Sequence, residues 1–392
     1  MPEYSGSGLR AHNTYKRLKN KYGIKYDVVA NSIEFNDNRE YIYDSVKVVR
    51  LGKQIQNLIQ YNNLFSKGIY HSIDFMNYIL LAGKTKKILQ SDNYDLIHSF
   101  GSSYTISYAM QWAKKKHIPF IRELCNTGAM PYPSYPLFLR LFSNNKFPAR
   151  FKVIAISGDM YQNALKSNID PDIIWHRPNP IDIKRFKPCW SGKRSLRSSL
   201  TNFHKHDKVI VNIAKFMPTK KQILLVRVLS LLPENYKLLL AGPIVSDGEN
   251  ASRDTKYFSE IKDEINKMNL ESRVQIKAEF IHDVEKYYQL SDIFAFPTTL
   301  EALGTPMLEA IACGIPAVTS IIPGVTDQWV VDGKNGYLSE LTPEAFAQKI
   351  QMAAEIPQEQ LLKSSRAIHE KASEDVIDRG YIDIINDLVG KR

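Results

Sequence analysis

Residues 296–320 read FPTTLEALGTPMLEAIACGIPAVTS, and the order of residue types in this stretch specifies a strand end, a turn and a short helix. The apolar run that closes at Phe296 suits a buried strand, and Ala302-Leu303-Gly304 suits a tight turn after it. Thr305 can cap a helix whose first residue is Pro306, and Gly314 can end that helix in the left-handed conformation. A helix that starts directly after a turn offers free backbone N–H groups and the positive end of its dipole, which together suit a phosphate. Glu301 lies just before this helix and Glu309 within its first turns. Paired carboxylates of glycosidases stand about 5 to 9.5 Å apart, whereas eight residues of ideal helix span about 12 Å. The spacing disfavours hydrolysis without excluding it, and favours recognition of hydroxyl groups, each carboxylate accepting from two of them.

Upstream, NIAKFMPTKKQILLV sets Lys215 and Lys220 across a turn that follows another apolar run, KVIVNIA. Two ammonium groups at the end of a parallel strand occupy the place where doubly wound sheets bind ligands, and can neutralise a diphosphate leaving group. Short apolar runs alternate with helical stretches along the whole chain: YDVVAN, DSVKVVRL, YDLIHSF, PFIREL and FKVIAIS, then HDKVIVNIA, YKLLLAG, RVQIKA, DIFAFP and PAVTS. Two such series predict an α/β protein with two parallel, doubly wound sheets. The polar, basic stretch NPIDIKRFKPCWSGKRSLRSSLTNFHKHDK separates them. The last segment, SEDVIDRGYIDIINDLVGKR, gathers Val376, Ile377, Tyr381, Ile384, Ile385 and Leu388 on one helical face that needs a surface to pack on.

A length of 392 residues favours two domains. With 44% hydrophobic and 24% charged residues the chain is globular rather than disordered. Its apolar runs fall short of the roughly 20 residues that span a bilayer, and it shows no signal-peptide pattern. Cys125, Cys189 and Cys313 are widely spaced and odd in number, which suggests reduced thiols and a cytoplasmic protein. Residues 1–190 carry 27 Lys and Arg against 14 Asp and Glu, and residues 191–392 carry 25 against 27, so the net +11 resides in the first half. Such a half suits a phosphorylated or lipid-phosphate partner, an anionic membrane surface or a nucleic acid.

Glu301 and Glu309 form E-x7-E, followed by CGIPAVTS and PGVTDQWVVDGKNGYL and preceded by VIAISGDM and RPNPIDIKRF. Together these motifs resemble a family 4 glycosyltransferase of the GT-B fold, retaining and nucleotide-sugar dependent. The resemblance implies two Rossmann-like domains with a cleft between them: an acceptor-binding domain over residues 1–187, completed by the C-terminal helix 374–392, and a donor-binding domain over 188–373. It implies that Glu309 binds the donor ribose, that Glu301 meets the transferred sugar, and that the N–H groups of Leu303, Gly304 and Thr305 hold the diphosphate. Lys220 matches the family's phosphate-binding lysine, and Lys215 stands where an arginine is usual. PEYSGSGLRAHN resembles the loop after the family's first strand, so Gly6 and Gly8 take the place of the paired glycines that approach the donor. The apparent dinucleotide fingerprint at Gly6, Gly8 and Ala11 is then incidental, and the first strand is missing, which predicts that the sequence starts at an internal methionine.

The first half departs further from the family. Arg122, Glu123 and Leu124 follow the strand after which many relatives place a catalytic histidine, so Glu123 is the candidate acid/base or acceptor contact. His98 also closes a strand, where a lone histidine is more often structural than functional. RPNPIDIKRF reads as a structural hinge, with Asn179 in the family's motif. Asp170-Pro171-Asp172 spells a metal-binding D-x-D but reads as a turn. No obligatory metal or cofactor is expected, the lysines and helix dipole stabilising the leaving nucleotide. In MPYPSYPLFLRLFSNNKFPARFK, Leu141 and Phe142 and other apolar residues interleave with Arg140, Lys146, Arg150 and Lys152, which suits a membrane edge or a lipid-linked acceptor.

The expectation is therefore a cytoplasmic enzyme, peripheral on the inner face of the membrane, that passes a sugar from a nucleotide-sugar to a lipid-linked or glycan acceptor in surface polysaccharide or lipopolysaccharide assembly. An NAD(P)-dependent oxidoreductase would need a strand before Gly6 and an acid closing the second strand, whereas Asp27 opens it. Nucleic acid as the partner gives E-x7-E no role, and a catalytically inactive relative is the remaining alternative.

Overall fold

The computed structural model describes residues 6–55, 64–140, 147–244 and 251–390. Its contacts divide the chain into two compact units, the first formed by Met1–Ile156, Met160–His176 and Asp378–Arg392, the second by Ser157–Asp159 and Arg177–Ile377. The chain enters the second unit at Arg177 rather than at residue 188, because RPNPIDIKRF is bound there. The Ile181 N–H donates to the Ala372 carbonyl at 2.7 Å, Arg185 donates to the His282 carbonyl at 2.7 Å, and Phe186 is buried near Tyr288.

The first unit runs α1 (Gly6–Tyr22), β1 (Val28–Phe35), β2 (Arg39–Tyr43), β3 (Val46–Lys53), α2 (Leu64–Gln90), β4 (Ile97–Phe100), α3 (Tyr104–Lys116), β5 (Phe120–Leu124), α4 (Leu137–Arg140), β6 (Phe151–Ala155), α5 (Gly158–Lys166) and β7 (Ile174–His176). Its strands form two sheets. One has the order β1-β3-β2, with β1 parallel to β3 and β2 antiparallel to it; the other is the parallel series β4-β5-β6-β7. The tight β2–β3 hairpin turns at Asp44 and Ser45, which both have positive φ (49° and 60°), the geometry whose twist matches paired strands. A doubly wound sheet places its first strand between the two halves of the strand order. Among the described residues no strand pairs with the outer edge of β1 or of β4. Gly6 and Gly8, expected in a loop, belong to the opening turn of α1, where glycine costs least because the first N–H groups of a helix have no intrahelical partner.

The second unit continues with α6 (Lys193–Leu200), β8 (Lys208–Ile213), α7 (Gln222–Ser230), β9 (Tyr236–Ala241), α8 (Ala251–Lys267), β10 (Val274–Lys277), α9 (Val284–Gln289), β11 (Ile293–Phe296), α10 (Thr305–Ala312), β12 (Ala317–Ser320), β13 (Gly336–Ser339), α11 (Pro343–Ala353) and α12 (Gln358–Ala372). Its six strands form one parallel sheet, β10-β9-β8-β11-β12-β13. The central strands read as nearly unbroken apolar runs because helices cover both faces; all four residues of β11 and of β12 are buried. The order reverses between β8 and β11, and the segments leaving these strands carry Lys215 and Lys220 on one side and Glu301 to Thr305 on the other.

The last helix, α13 (Glu374–Val389), lies mostly in the first unit and is fastened there by buried charge. Ile377, Tyr381 and Leu388 of its apolar face are buried, and so is Asp378, which the apolar pattern did not mark. Arg17 of α1 grips the Asp378 carboxylate through Nε at 3.0 and 3.1 Å and Nη2 at 2.8 Å, and Lys21 adds a contact of 3.1 Å. One turn on, the Tyr381 hydroxyl donates to Glu123 Oε2 at 2.6 Å. Gly380 is required between them, since a Cβ there would collide with the Trp175 ring. A buried carboxylate that loses a donor costs roughly 1.5–3 kcal/mol. Tyr381→Phe should therefore lower the urea-unfolding free energy of the first unit by about that amount; an unchanged midpoint would remove this bond from the forces that dock α13.

Candidate functional site

The switch in strand order fixes where the second unit can bind a ligand, because a crevice opens beyond the strand ends where neighbouring connections diverge to opposite faces. Two loops meet there and are tied by backbone. The Thr299 N–H donates to the Thr219 carbonyl at 2.8 Å, and the Thr298 hydroxyl reaches the same carbonyl at 3.3 Å. The buried Asn212 amide bridges β8 to the Ala295 carbonyl of β11 at 2.8 Å, holding the strands that deliver the loops. Gly242 admits the first loop: a Cβ there would strike the Ala214 carbonyl oxygen. The fully buried Gln222 then fixes the Lys215 carbonyl through Nε2 at 2.9 Å.

The structure brings Lys220, Glu301 and the start of α10 together. Lys220 Nζ forms an ion pair with Glu301 Oε1 and lies 5.1 Å from the centroid of the Phe296 ring. Lys215 is half-buried, and burial first, then the neighbouring Lys220 charge, hold its ammonium below the usual lysine range, against the pull of Asp254. Gly304, not Thr305, is the residue that caps α10. Its φ of +75° requires glycine, which has no side chain to bond the first N–H groups of the helix. The Thr305 hydroxyl is engaged elsewhere, accepting from Asn179 Nδ2 at 2.8 Å. Leu303 is buried and anchors the turn.

Glu309 faces α9 rather than Glu301's partner. It accepts the Tyr288 hydroxyl at 2.9 Å, and protein crowding raises its pKa to about 7 against the pull of that hydrogen bond and of Arg185. The two glutamates are thus held by different elements, Glu301 by Lys220 and Glu309 by Tyr288, an arrangement unlike a carboxylate pair across one bond. Tyr288 and Asn179 are the site residues that sequence reading did not assign. Tyr288 carried only the signal of a buried aromatic, and Asn179 lies 126 residues from Thr305.

The candidates of the first unit are placed differently. Glu123 and His98 do come together, with Oε2 3.5 Å from Nε2, but Glu123 is 0% exposed. Arg10 Nε lies 3.3 Å from its other oxygen, and His98 is bonded through Nδ1 to the Tyr15 hydroxyl at 2.7 Å and stacked on Phe100. These contacts make the pair a buried joint of α1, β4, β5 and α13. Arg122 is likewise interior, bound to the Gly101 carbonyl and to Ser102 Oγ at 2.9 Å, and burial lowers its pKa to about 10. Arg150 donates to the carbonyls of Leu388 and His117, and Lys152 to that of Asp172, so both brace their own unit. Arg140 ends α4, its Nε donating to the Tyr135 carbonyl at 3.2 Å. Leu141, Phe142 and Lys146 lie outside the described residues. Asp170 opens a short 3-10 turn, its carboxylate accepting from the Asp172 N–H at 3.0 Å, as a turn reading requires.

Residues 197–375 match the glycosyl transferases group 1 family. The chain is 23% identical over 260 residues to the UDP-Gal:alpha-D-GlcNAc-diphosphoundecaprenol alpha-1,3-galactosyltransferase of Escherichia coli, a match covering 65% of each protein. It is 28% identical over 182 residues to the GPI3 subunit of phosphatidylinositol N-acetylglucosaminyltransferase of Saccharomyces cerevisiae, covering 45% of this chain and 37% of that one. These alignments therefore span less than two thirds of either relative. Among solved structures, Anabaena HepE in complex with UDP superposes with a TM-score of 0.73 at 17% identity, over 98% of this chain and 97% of that one. The chain thus has the GT-B fold, two Rossmann-like domains with parallel sheets, and its residues 197–375 are similar to the glycosyl transferases group 1 family.

Proposed function

We propose that the chain is a retaining family 4 glycosyltransferase that transfers a sugar from a nucleotide-sugar to a lipid-linked or saccharide acceptor, in the assembly of a bacterial surface polysaccharide or lipopolysaccharide. The observation that carries this reading is the convergence of Lys215, Lys220, Glu301 and the start of α10, whose glycine cap has no side chain, at the strand switch, with Glu309 on the same helix. It is supported by the names of the relatives, one of which acts on a diphosphoundecaprenol-linked sugar and another on phosphatidylinositol.

In this reading the two ammonium groups and the N–H groups of Leu303, Gly304 and Thr305 hold the donor diphosphate. Such fixed donors stabilise the charge that grows on the leaving group without reorganising, so no metal is obligatory. Glu309 accepts from the ribose hydroxyls and Glu301 from hydroxyls of the transferred sugar. The bond from the anomeric carbon to the phosphate oxygen breaks, and the acceptor oxygen bonds that carbon from the same face. The acceptor proton passes to the departing diphosphate.

Thermal shift with UDP, GDP, ADP and NAD at matched concentration tests the donor site. One nucleoside diphosphate is expected to stabilise the protein and NAD to leave it unmoved. Lys220→Ala should weaken that binding roughly ten- to hundred-fold, the effect of losing a charge-assisted contact of ~1.5–3 kcal/mol. No shift with any diphosphate overturns the reading, and transfer abolished by EDTA overturns its metal-free form.

Glu301 competes with phosphate for Lys220 when no donor is bound. Glu301→Gln should therefore tighten nucleoside diphosphate binding while lowering the transfer rate, a pair of opposite effects read by calorimetry and turnover. Weaker diphosphate binding in this variant would show that the pair organises the site instead of competing for it.

The Glu309 pKa fixes the sign of a pH effect. Because its folded value of about 7 lies above the ordinary 4.5, the native state binds the extra proton between these values, and its stability contribution is lost as pH rises through that window. Ligand binding runs the other way, since the ionised carboxylate accepts from ribose hydroxyls more strongly than the neutral acid does. The melting temperature without ligand should fall from about pH 5 to about pH 8 more steeply than in Glu309→Gln, while diphosphate affinity rises; parallel melting curves would contradict the assignment.

A further inference from the structure

Helix α2 is the longest described helix, at 27 residues, and one of its faces is apolar yet uncovered. Leu64 is 88% exposed and Phe65 78%, and Met76, Ile79 and Leu80 are exposed further along. At 100° per residue these five side chains fall within an arc of about 160°. The remaining exposed positions on that arc up to residue 83 are small, namely Gly68, Ser72 and Gly83. One to two turns further on, Lys86 and Lys87 fall on the same arc and are exposed. The helix carries one carboxylate, Asp74, which lies off this arc and accepts the Tyr104 hydroxyl at 2.6 Å.

The patch extends beyond the helix. Phe138 of α4 stands edge-on to His71 and Phe75, with ring centroids 6.4 and 6.3 Å away, and it and Leu137 are both about half exposed. Arg140 follows at the end of α4. Helix α3, which packs beside α2, ends in Lys114, Lys115 and Lys116. The surface is therefore an apolar stripe with cations at its border and no carboxylate on its arc, in the half of the sequence that holds 27 Lys and Arg against 14 Asp and Glu.

We propose that this face of α2 and α4 docks on an anionic lipid bilayer, with α2 lying in the interface. A helix on a membrane needs an apolar side to enter the acyl boundary and cations to meet lipid phosphates, and stable attachment generally takes both signals. No described helix is long and apolar enough to cross a membrane, so α2 lies on the bilayer and does not span it. Charge selects this occupant over a second copy of the chain, because the same arc of a second copy has no carboxylate to offer Lys86 and Lys87. The inference stands apart from the donor reading, since none of its residues belongs to the strand-switch site.

The test is flotation of the full chain, without nucleotide, with phosphatidylcholine vesicles and with vesicles that also contain phosphatidylglycerol. The protein is expected on the anionic vesicles, with partition falling as salt screens the lysines. Phe65→Ser/Ile79→Ser should cut that partition roughly tenfold or more, and Lys86→Gln/Lys87→Gln about fivefold per lysine. All four side chains are exposed, so circular dichroism should match the parent. The control Lys363→Gln, at an exposed side chain of α12, should partition as the parent does. Equal partition onto neutral vesicles, or unchanged partition in both double variants, overturns the proposal. So does a dimer on gel filtration that Phe65→Ser/Ile79→Ser dissolves while vesicles float free of protein.

Discussion

Every parallel strand of the second unit runs the same way, so each connection must leave one edge of the sheet and return to the other. That constraint concentrates all strand ends, and the loops after them, along a single edge. Where the order reverses between β8 and β11, the two loops are not carried off together to one face but diverge, and the space between them is left to side chains. The lysines of one loop and the glutamate of the other then meet without any sequence proximity, 81 residues apart in the case of Lys220 and Glu301. Asn212, Gln222 and Thr299 spend their hydrogen bonds on keeping this edge in register.

The first unit solves a different problem, that of attaching a helix from the far end of the chain. Apolar packing alone allows a helix to slide or rotate, since it has no direction. Asp378 and Tyr381 give α13 a register. Asp378 must meet Arg17 and Lys21, and Tyr381 must meet Glu123 one turn later. A buried carboxylate left alone is costly, so a displaced α13 would strand two of them at once. This also explains why Glu123 looked functional in the sequence: a carboxylate at a strand end is what both an active site and a buried anchor require, and only the partners distinguish them.

What the sequence revealed follows from how local each signal is. The parallel sheets, the turn that opens α10 and the lysine loop were legible because each is written in consecutive residues. The cap of α10 was misassigned by one position: Thr305 has the chemistry of a cap, but Gly304 alone tolerates the left-handed backbone that the turn needs, and Asn179 claims the threonine hydroxyl. Strand β13 was hidden because GYLS reads as a loop, and it forms only by pairing with β12, where Gly336 lies against the Ala317 backbone too closely for a side chain. Tyr288 was illegible as a site residue for a similar reason, since nothing near it in sequence announces Glu309.

Helix α2 shows that a hydrophobic run does not say what covers it. Tyr78, Leu81 and Ala82 are buried, with Tyr78 packed against α3 and Tyr135. The helix is apolar on more of its circumference than the sheet and its neighbours cover. A soluble protein ordinarily places charge on that surplus, and large uncovered apolar faces usually mark an interaction surface. Here the charge is present but displaced along the helix axis to Lys86 and Lys87, so the outer face is divided lengthwise into an apolar part and a cationic part. Burying the apolar part in a protein partner would leave the lysines to find acids of their own. An anionic bilayer supplies acyl chains and phosphates side by side at every point of its surface, so it satisfies both parts of the face at once.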